Sequence, residues 1–263
     1  MYQYIKKLGQ GGFGEVWKVI KDGKVIALKK IELSGEQMKK AAVKEAEMLK
    51  EVSKKCIPSL VCFYDYHVED YILYIEMEYI DGVTLNKFAE PLRNSSKLNK
   101  YLLAIIKDIT TAIQYLHSFG IIHRDIKPEN ILIDSNYQPK LIDIGLACRT
   151  GEDKCSLLGK PLDCCKGTAG TALFMSPESL LNNVSYFVSD VYSLGAAIYF
   201  ASTGEFLYHP SPKKYEFLIR LVKEARTITL NTTNIQLNNL VNKMLIYYPS
   251  KRIKVEQILD FYE

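Results

Sequence analysis

The stretch His123-Arg124-Asp125-Ile126-Lys127-Pro128-Glu129-Asn130 brings polar groups of three different chemistries onto one short loop. Asp125 is a candidate general base, Lys127 a cation that can hold a phosphate, and Asn130 an oxygen ligand for a hard metal ion. Each residue alone would be read as a turn former or a surface charge. Their order and close spacing instead favour a single catalytic loop.

A second short motif, Asp143-Ile144-Gly145, follows the strand-like piece Lys140-Leu141-Ile142. An aspartate at the end of a strand can bind Mg²⁺ together with Asn130, because Mg²⁺ prefers oxygen ligands and keeps several of its waters. The two motifs therefore predict one metal-assisted site.

A glycine cluster, Gly9-Gln10-Gly11-Gly12-Phe13-Gly14, lies near the start of the chain. Glycines let backbone N–H groups approach phosphates without a Cβ in the way. A dinucleotide-binding turn is excluded, because that motif runs from a strand into a helix, whereas Glu15-Val16-Trp17-Lys18-Val19 reads as a second strand. The cluster is therefore predicted at the tip of a hairpin. Taken alone, it fits a flexible turn equally well.

Lys29 and Glu45 each occupy a position that is costly for a charge. Period-2 alternation puts Lys29 on the strand face of Val25, Ala27 and Ile31. Glu45 lies within the apolar stripe of the next helix, where a carboxylate is costly unless it is paired. The two residues are therefore predicted to meet. The alternative is that Lys29 extends to solvent and Glu45 lies at the edge of the stripe.

The periodicity of the chain changes near Gly82. The first 80 residues are rich in strand patterns with a single helix, for which Ser34 and Gln37 can form a capping box. Helical spacing dominates after Gly82, and a crevice between the two parts is a favoured place for a ligand. The predicted strands are 4–9, 14–20, 25–31, 60–66, 71–79, 131–133 and 140–142, and the predicted helices are 35–52, 98–117, 189–202, 213–225, 235–245 and 255–262.

Composition excludes several classes of protein. The 263 residues are 48% hydrophobic and 24% charged, ordinary values for a globular protein, and the net charge of +4 is too small to indicate nucleic-acid binding. The start of the chain has no apolar run typical of a signal peptide, and the longest apolar stretch, around 191–201, is too short to span a membrane. We therefore expect an intracellular protein, in the cytoplasm or the nucleus, with no membrane insertion and no nucleic-acid partner.

Six cysteines are present, and four of them, Cys148, Cys155, Cys164 and Cys165, lie close together in the sequence. In a reducing compartment they are expected to be thiols. Their spacing fits no CxxC zinc pattern. A structural metal and a redox switch are the alternatives.

In their order along the chain, these motifs resemble those of the eukaryotic-type protein kinase family, serine/threonine branch. The resemblance extends from about Tyr4 to Phe261 and includes Gly170-Thr171-Ala172-Leu173-Phe174-Met175-Ser176-Pro177-Glu178 and an Arg252 that matches the partner of Glu178. It implies one domain over 1–263 with an α+β, two-lobed protein kinase-like fold. The N-lobe, about 1–80, would be an antiparallel sheet plus one helix, the C-lobe, about 83–263, mainly helical, and 143–178 the activation segment.

The resemblance also implies a role for each matched residue, with ATP and Mg²⁺ as cofactors. Asp125 would accept the proton of the substrate hydroxyl, and Lys127 would steady the γ-phosphate. Lys29, oriented by Glu45, would hold the α- and β-phosphates. The implied metal ligands are Asn130 and Asp143, and the implied ATP-binding residues are Leu8, Gly9, Gly11, Gly12, Phe13, Gly14, Val16, Ala27, Lys29, Met77, Glu78, Tyr79, Ile80 and Leu132.

The substrate class follows from three of the matched positions. Lys127 and Thr171 resemble the serine/threonine branch, and Glu129 matches a position that contacts basic substrates in some relatives. The implied partners are protein substrates and a regulatory protein. The main alternative is a pseudokinase scaffold that binds ATP without efficient transfer. A small-molecule phosphotransferase and a nucleic-acid-binding module are weaker alternatives.

Two positions bear on regulation. Ile144 stands where the family usually has Phe, so the apolar spine to which that residue belongs would form with less volume. Arg124 implies control by phosphorylation of the activation segment, and Thr168 is the best-placed acceptor. The other members of the spine would be Leu49, Phe63 and His123.

Overall fold

The computed structural model describes residues 1–11, 14–93, 95–151, 155–157, 160–208 and 228–263. The first part of the chain forms a five-stranded antiparallel sheet. Its strands are β1 (Gln3–Gly11), β2 (Gly14–Lys21), β3 (Lys24–Glu32), β4 (Phe63–Glu69) and β5 (Ile72–Glu78), in the spatial order β1-β2-β3-β5-β4. Asp22 and Gly23 join β2 to β3 with positive φ angles of 49° and 78°, as a two-residue hairpin turn requires.

Helix α1 spans Glu36–Val52 and packs on this sheet through β4 and β5. Leu49 and Val52 lie on its buried side. The helix begins after Gly35 without a side-chain cap, so the predicted capping box of Ser34 and Gln37 is wrong. The reason is a shift of one residue, because the N-cap position falls on a glycine, which has no side chain to accept a hydrogen bond.

The second part of the chain is mainly helical, as predicted. Within the described ranges, no helix combines the length and the apolar character that a membrane span requires. The predicted helix at 213–225 lies outside the described residues. The helices are α2 (Leu85–Ala89), α3 (Ser96–Ser118), α4 (Pro177–Asn182), α5 (Phe187–Thr203), α6 (Ile235–Met244) and α7 (Val255–Leu259).

One apolar core continues from the sheet into the helices. It includes Leu49 of α1, Leu73 of β5, Ile106 of α3 and Leu194 of α5, all fully buried. Because this core is shared, the sheet and the helical part meet along a packed boundary. The α+β fold, with an N-terminal antiparallel sheet and one helix before a helical part, is confirmed.

Short strands shape the region between the two parts. The sequence patterns predict no strand within 143–178, yet this segment contains four short strands, because strands of two or three residues are too short to show a period in the sequence. All the short strands of this region belong to small sheets. β6 (Gly82–Thr84), β8 (Ile131–Asp134) and β9 (Pro139–Leu141) form one sheet, and the remaining short strands form three pairs: β7 (Ile121–Ile122) with β10 (Cys148–Arg149), β11 (Cys155–Leu157) with β12 (Lys160–Leu162), and β13 (Cys165–Lys166) with β14 (Val184–Ser185).

All six cysteines are paired, so the expectation of free thiols is wrong. The Cα–Cα distance is 5.3 Å for Cys56–Cys62, 6.2 Å for Cys148–Cys165 and 6.1 Å for Cys155–Cys164. All three distances are within the range that a disulfide allows. Among the described residues, no cluster of three or more His, Cys, Asp or Glu side chains is suited to a metal ion. The intracellular location stays a prediction, and paired cysteines are uncommon in reducing compartments.

Glu178 and Arg252 form a buried ion pair that fastens α4 to the C-terminal part. Arg252 Nη1 and Nη2 lie 2.6 and 2.9 Å from the two carboxylate oxygens of Glu178, and Ser189 Oγ donates to the same carboxylate at 2.7 Å. Burial raises the pKa of Glu178, but the charge and hydrogen bonds of Arg252 outweigh burial, so its pKa is lowered. The carboxylate therefore stays ionised inside the protein.

Replacing Arg252 by Met would leave the Glu178 carboxylate buried without its partner. We expect the free energy of unfolding to fall by about 3–5 kcal/mol, measured by urea denaturation. Lys7→Met is the matched control, because it breaks the more exposed pair with Glu15 (2.8 Å) and is expected to cost less than about 1 kcal/mol. Equal losses in the two variants would contradict a structural role for the buried pair.

Candidate active site

A crevice of about 460 Å³ lies between the sheet and the helical part. Several residues that the sequence did not single out for this site, among them Val61 and Ile142, also line it. The implied ATP-binding and metal residues that line it are Leu8, Gly9, Val16, Ala27, Lys29, Met77, Glu78, Tyr79, Ile80, Leu132, Asn130 and Asp143. Gly12 and Phe13 lie outside the described residues, and Gly11 and Gly14 do not line the cavity.

The glycine cluster joins β1 to β2, which run antiparallel with Gly11 opposite Gly14. The predicted hairpin is confirmed, and the dinucleotide-binding turn stays excluded. Gly14 has φ +123°, and a Cβ there would lie 2.0 Å from the carbonyl oxygen of Lys30, so the position requires glycine. Gly9 has open space around it and can let a phosphate approach the backbone.

Lys29 Nζ joins three elements at the inner end of the crevice. It lies 2.6 Å from Glu45 Oε1 on α1 and 3.0 Å from Asp143 Oδ1, which follows β9. Lys29 and Glu45 are buried, whereas the Asp143 side chain is 42% exposed toward the crevice. Burial lowers the pKa of Lys29, but the two carboxylates outweigh burial and raise its pKa. Lys29 is therefore a fixed positive charge, and it does not extend to solvent.

Gly145 lies directly beside the three charged groups and leaves space for them. A Cβ at this position would lie 3.1 Å from Asp143 Oδ1, 3.2 Å from Glu45 Oε2 and 3.3 Å from Lys29 Nζ. Gly145 N–H also donates to Asp143 Oδ1 at 3.2 Å. Asp143 has φ +60°, a backbone conformation that is uncommon for a residue with a side chain. The glycine therefore has a steric function beside the charged cluster.

The catalytic loop forms a network around Asp125. Its Oδ1 accepts from Thr171 N–H (2.9 Å) and Thr171 Oγ1 (2.8 Å), and its Oδ2 lies 2.8 Å from Lys127 Nζ. Asn130 Nδ2 donates to the Asp125 carbonyl (2.8 Å) and carboxylate (3.1 Å), which leaves Asn130 Oδ1 as an acceptor. A hydroxyl, a cation and a carboxylate thus converge within hydrogen-bond distance.

The loop is held by a carboxylate that sequence reasoning did not assign to the site. Asp190 of α5 accepts from His123 N–H and Arg124 N–H, both at 2.9 Å, and pairs with His117 Nε2 at 2.9 Å. Burial raises the pKa of Asp190, but the contacts with His117 and His123 outweigh burial, so its pKa is lowered. The signal in the sequence was an isolated aspartate in a helix that is apolar on all sides.

The groups that could bind a metal ion are the side-chain oxygen atoms of Asn130 and Asp143. Both residues line the crevice, and Ile142 N–H donates to Asn130 O at 2.9 Å, which ties the two loops together. An amide oxygen and a partly exposed carboxylate suit Mg²⁺, which takes few protein ligands and keeps waters. The residues present therefore fit the implied ion.

The apolar spine residues and the regulatory residues have defined surroundings. Ile144 is fully buried in the shared core together with Leu49 and Phe63. Thr168 donates its hydroxyl to the Asn183 side chain, and Arg124 Nε donates to Leu146 O at 2.7 Å. Control by phosphorylation of Thr168 stays a prediction.

Comparison with known proteins points to one family. The model of the protein kinase domain matches residues 2–261. Curated relatives include serine/threonine-protein kinase D of Synechocystis sp., 35% identical over 77% of this chain and 40% of its own length. The probable serine/threonine-protein kinase fhkA of Dictyostelium discoideum is 32% identical over 98% of this chain and 49% of its own length. The chain spans less than half of the length of these relatives.

Asp190→Asn would replace one accepting oxygen with an amide group that cannot accept from the catalytic-loop N–H groups. We expect the free energy of unfolding at pH 7 to fall by about 1–3 kcal/mol. Because the folded pKa of Asp190 is lowered, its stabilisation is present above its unfolded pKa, about 3.9, and is lost as pH falls through the folded value.

Urea denaturation at a series of pH values tests this expectation. The difference between wild type and Asp190→Asn should shrink as the solution becomes acidic. Asp65→Asn is the control, since Asp65 is exposed on β4 and should change stability little at any pH. A difference that is independent of pH would contradict the role given to the Asp190 charge.

Proposed function

This chain belongs to the protein kinase family, and on that premise we propose that it transfers the γ-phosphate of ATP to serine and threonine hydroxyls of protein substrates. The observation that carries the proposal is the position of Lys29 Nζ, 2.6 Å from Glu45 and 3.0 Å from Asp143. A lysine held between two carboxylates is an oriented charge for the phosphates of ATP.

In the proposed reaction, the adenine of ATP lies between apolar side chains of the crevice. Val16 and Ala27 of the sheet and Leu132 of β8 all line the cavity, which supports this placement. Met77 and Glu78 end β5 and lead into the connection between the two parts, so their backbone is near the adenine edge. The phosphates then extend inward toward Lys29.

Asp125 is the proposed base for the substrate hydroxyl. As that oxygen attacks the γ-phosphorus and the bond to the β-phosphate breaks, Asp125 takes the proton. Lys127, 2.8 Å from the Asp125 carboxylate, would balance negative charge on the transferred group. Mg²⁺, when bound by Asn130 and Asp143, supplies further charge neutralisation.

The serine/threonine class is proposed because Lys127 and Thr171 match that branch of the family. The Thr171 hydroxyl bonds both Asp125 Oδ1 and Lys127 Nζ at 2.8 Å, so both matched residues contact the proposed base. The names of the curated relatives support the same substrate class. Glu129 lines the crevice and is exposed, which supports a contact with basic residues of the substrate.

Asp125→Asn tests the transfer reaction. Loss of the base is expected to lower kcat by about 10²–10⁴-fold in an ATP–Mg²⁺ assay with a serine-containing peptide, while ATP affinity stays near the wild-type value. Asp22→Asn is the matched control, because Asp22 lies in the distant β2–β3 turn, which accepts Asn. Equal background phosphorylation by wild type and Asp125→Asn, with ATP still bound, would instead favour the pseudokinase alternative.

Gly145→Ala tests whether the charged cluster needs the space that the glycine leaves. The new Cβ would lie 3.1–3.3 Å from atoms of Asp143, Glu45 and Lys29, so these side chains would have to shift by a few tenths of an ångström. We expect kcat/KM for ATP to fall by about tenfold or more, since small misplacements of such groups are costly. Thermal unfolding checks that the variant is still folded at the assay temperature. An unaltered kcat/KM would contradict the steric role of Gly145.

A further inference from the structure

A disulfide joins the two ends of the segment that lies between Asp143 and Glu178. Cys148 belongs to β10 and Cys165 to β13, 17 residues further along the chain. Cys165 is fully buried, whereas Cys148 is half-buried. The bond therefore makes a covalent bridge between two strands that lie in different two-stranded sheets.

The first end of the bridge is attached to the side of the site that would hold the phosphates. β10 pairs with Ile121 and Ile122, which directly precede the catalytic loop. Arg149, next to Cys148, forms an ion pair with Glu51 of α1 and donates to Phe119 O at 2.9 Å. Because α1 also carries Glu45, a shift of β10 would reach the carboxylate that orients Lys29.

The second end leads to the side of the site that would hold the protein substrate. β13 pairs with Val184 and Ser185. Directly after β13, the chain continues to Gly170 and Thr171. Gly170 has φ +112°, and a Cβ there would lie 2.2 Å from the carbonyl oxygen of Arg124, so this turn packs tightly on the catalytic loop. Thr171 then bonds Asp125.

We propose that the Cys148–Cys165 pair is a redox site, with a dithiol as its reductant, and that the disulfide keeps the phosphate side and the substrate side of the active site in register. The inference rests on the proposed function. The assembled contacts of Lys29, Glu45 and Asp125 occur together with the closed disulfide, so the oxidised form is the active one. Reduction frees β13 from β10 and lowers transfer to protein substrates.

The redox step is an ordinary thiol–disulfide exchange. One thiolate of the dithiol attacks the half-buried sulfur of Cys148, the bond to Cys165 breaks, and Cys165 leaves as a thiolate that takes up a proton. The second thiolate of the reductant attacks the mixed disulfide and releases Cys148, which also takes up a proton. Two electrons and two protons pass to the protein, and the reductant becomes a disulfide.

The neighbouring disulfide Cys155–Cys164 supplies a matched control. It closes the β11–β12 hairpin within the segment and does not connect the two ends. Its loss should leave β10 joined to β13. The two double variants, Cys148→Ser with Cys165→Ser and Cys155→Ser with Cys164→Ser, therefore separate the bridge from the general effect of losing a disulfide.

The experiment compares the oxidised full chain with the same protein reduced by dithiothreitol. Peptide mapping of the oxidised form should recover the 148–165 link. Hydrogen exchange should become faster at 146–149 and 163–171 on reduction, and kcat/KM for a serine peptide should fall by about tenfold or more. The 148/165 variant should resemble the reduced protein and not respond to dithiothreitol, whereas the 155/164 variant should respond like wild type.

Several results would overturn the inference. These are a Cys148 that is not linked to Cys165 in the oxidised protein, unchanged exchange at both ends after reduction, higher activity in the reduced form, or a response that disappears in the 155/164 variant. A chain with no transfer activity in either redox state would contradict the proposed function instead. Hydrogen exchange does not depend on catalysis and would then decide alone whether the disulfide holds the two ends together.

Discussion

The contact of the buried Lys29–Glu45 pair with the partly exposed Asp143 is the constraint around which both parts of the molecule are arranged. The three residues come from β3, from α1 and from the loop after β9, so the sheet, its helix and the helical part must be in register before the charges can meet. Each charge would be costly to bury alone. Their mutual pairing makes the inner end of the crevice stable and also leaves a carboxylate and an ammonium at its surface.

Two further buried carboxylates give the helical part the same kind of internal support. Asp190 accepts from the backbone of the catalytic loop, and Glu178 pairs with Arg252 close to the turn that bonds Asp125. Both are buried, and a buried ionised group is stable only with full hydrogen bonding. Asp190 and Glu178 therefore support the residues that would act on the substrate. Both supporting carboxylates were harder to recognise from the sequence than the candidate catalytic residues.

The cysteines show what local sequence patterns leave open. Their spacing fits no CxxC zinc pattern, and the expectation of thiols was wrong for all six. Pairing depends on distances between Cα atoms, and Cys148 approaches Cys165 only because β10 and β13 take up their positions beside β7 and β14. Strands of two residues have no period that could have predicted this. The capping box at Ser34 failed for a similar local reason, a helix start displaced by one residue.

The sequence alone predicted the five strands and the helix of the first part, the helices α3, α5, α6 and α7, and the hairpin at the glycine cluster, because these depend on local periodicity. The candidate site residues came from short motifs and their resemblance to the kinase family, and their roles stay predictions. Lys29 and Glu45 were predicted to meet, since each presented a charge on an apolar face. Only the tertiary structure decided that Asp190 holds the catalytic loop, that Gly145 makes room for three charged groups, and that Cys148 reaches Cys165. These contacts join residues far apart in the chain, and their distances exist only once the whole core has packed.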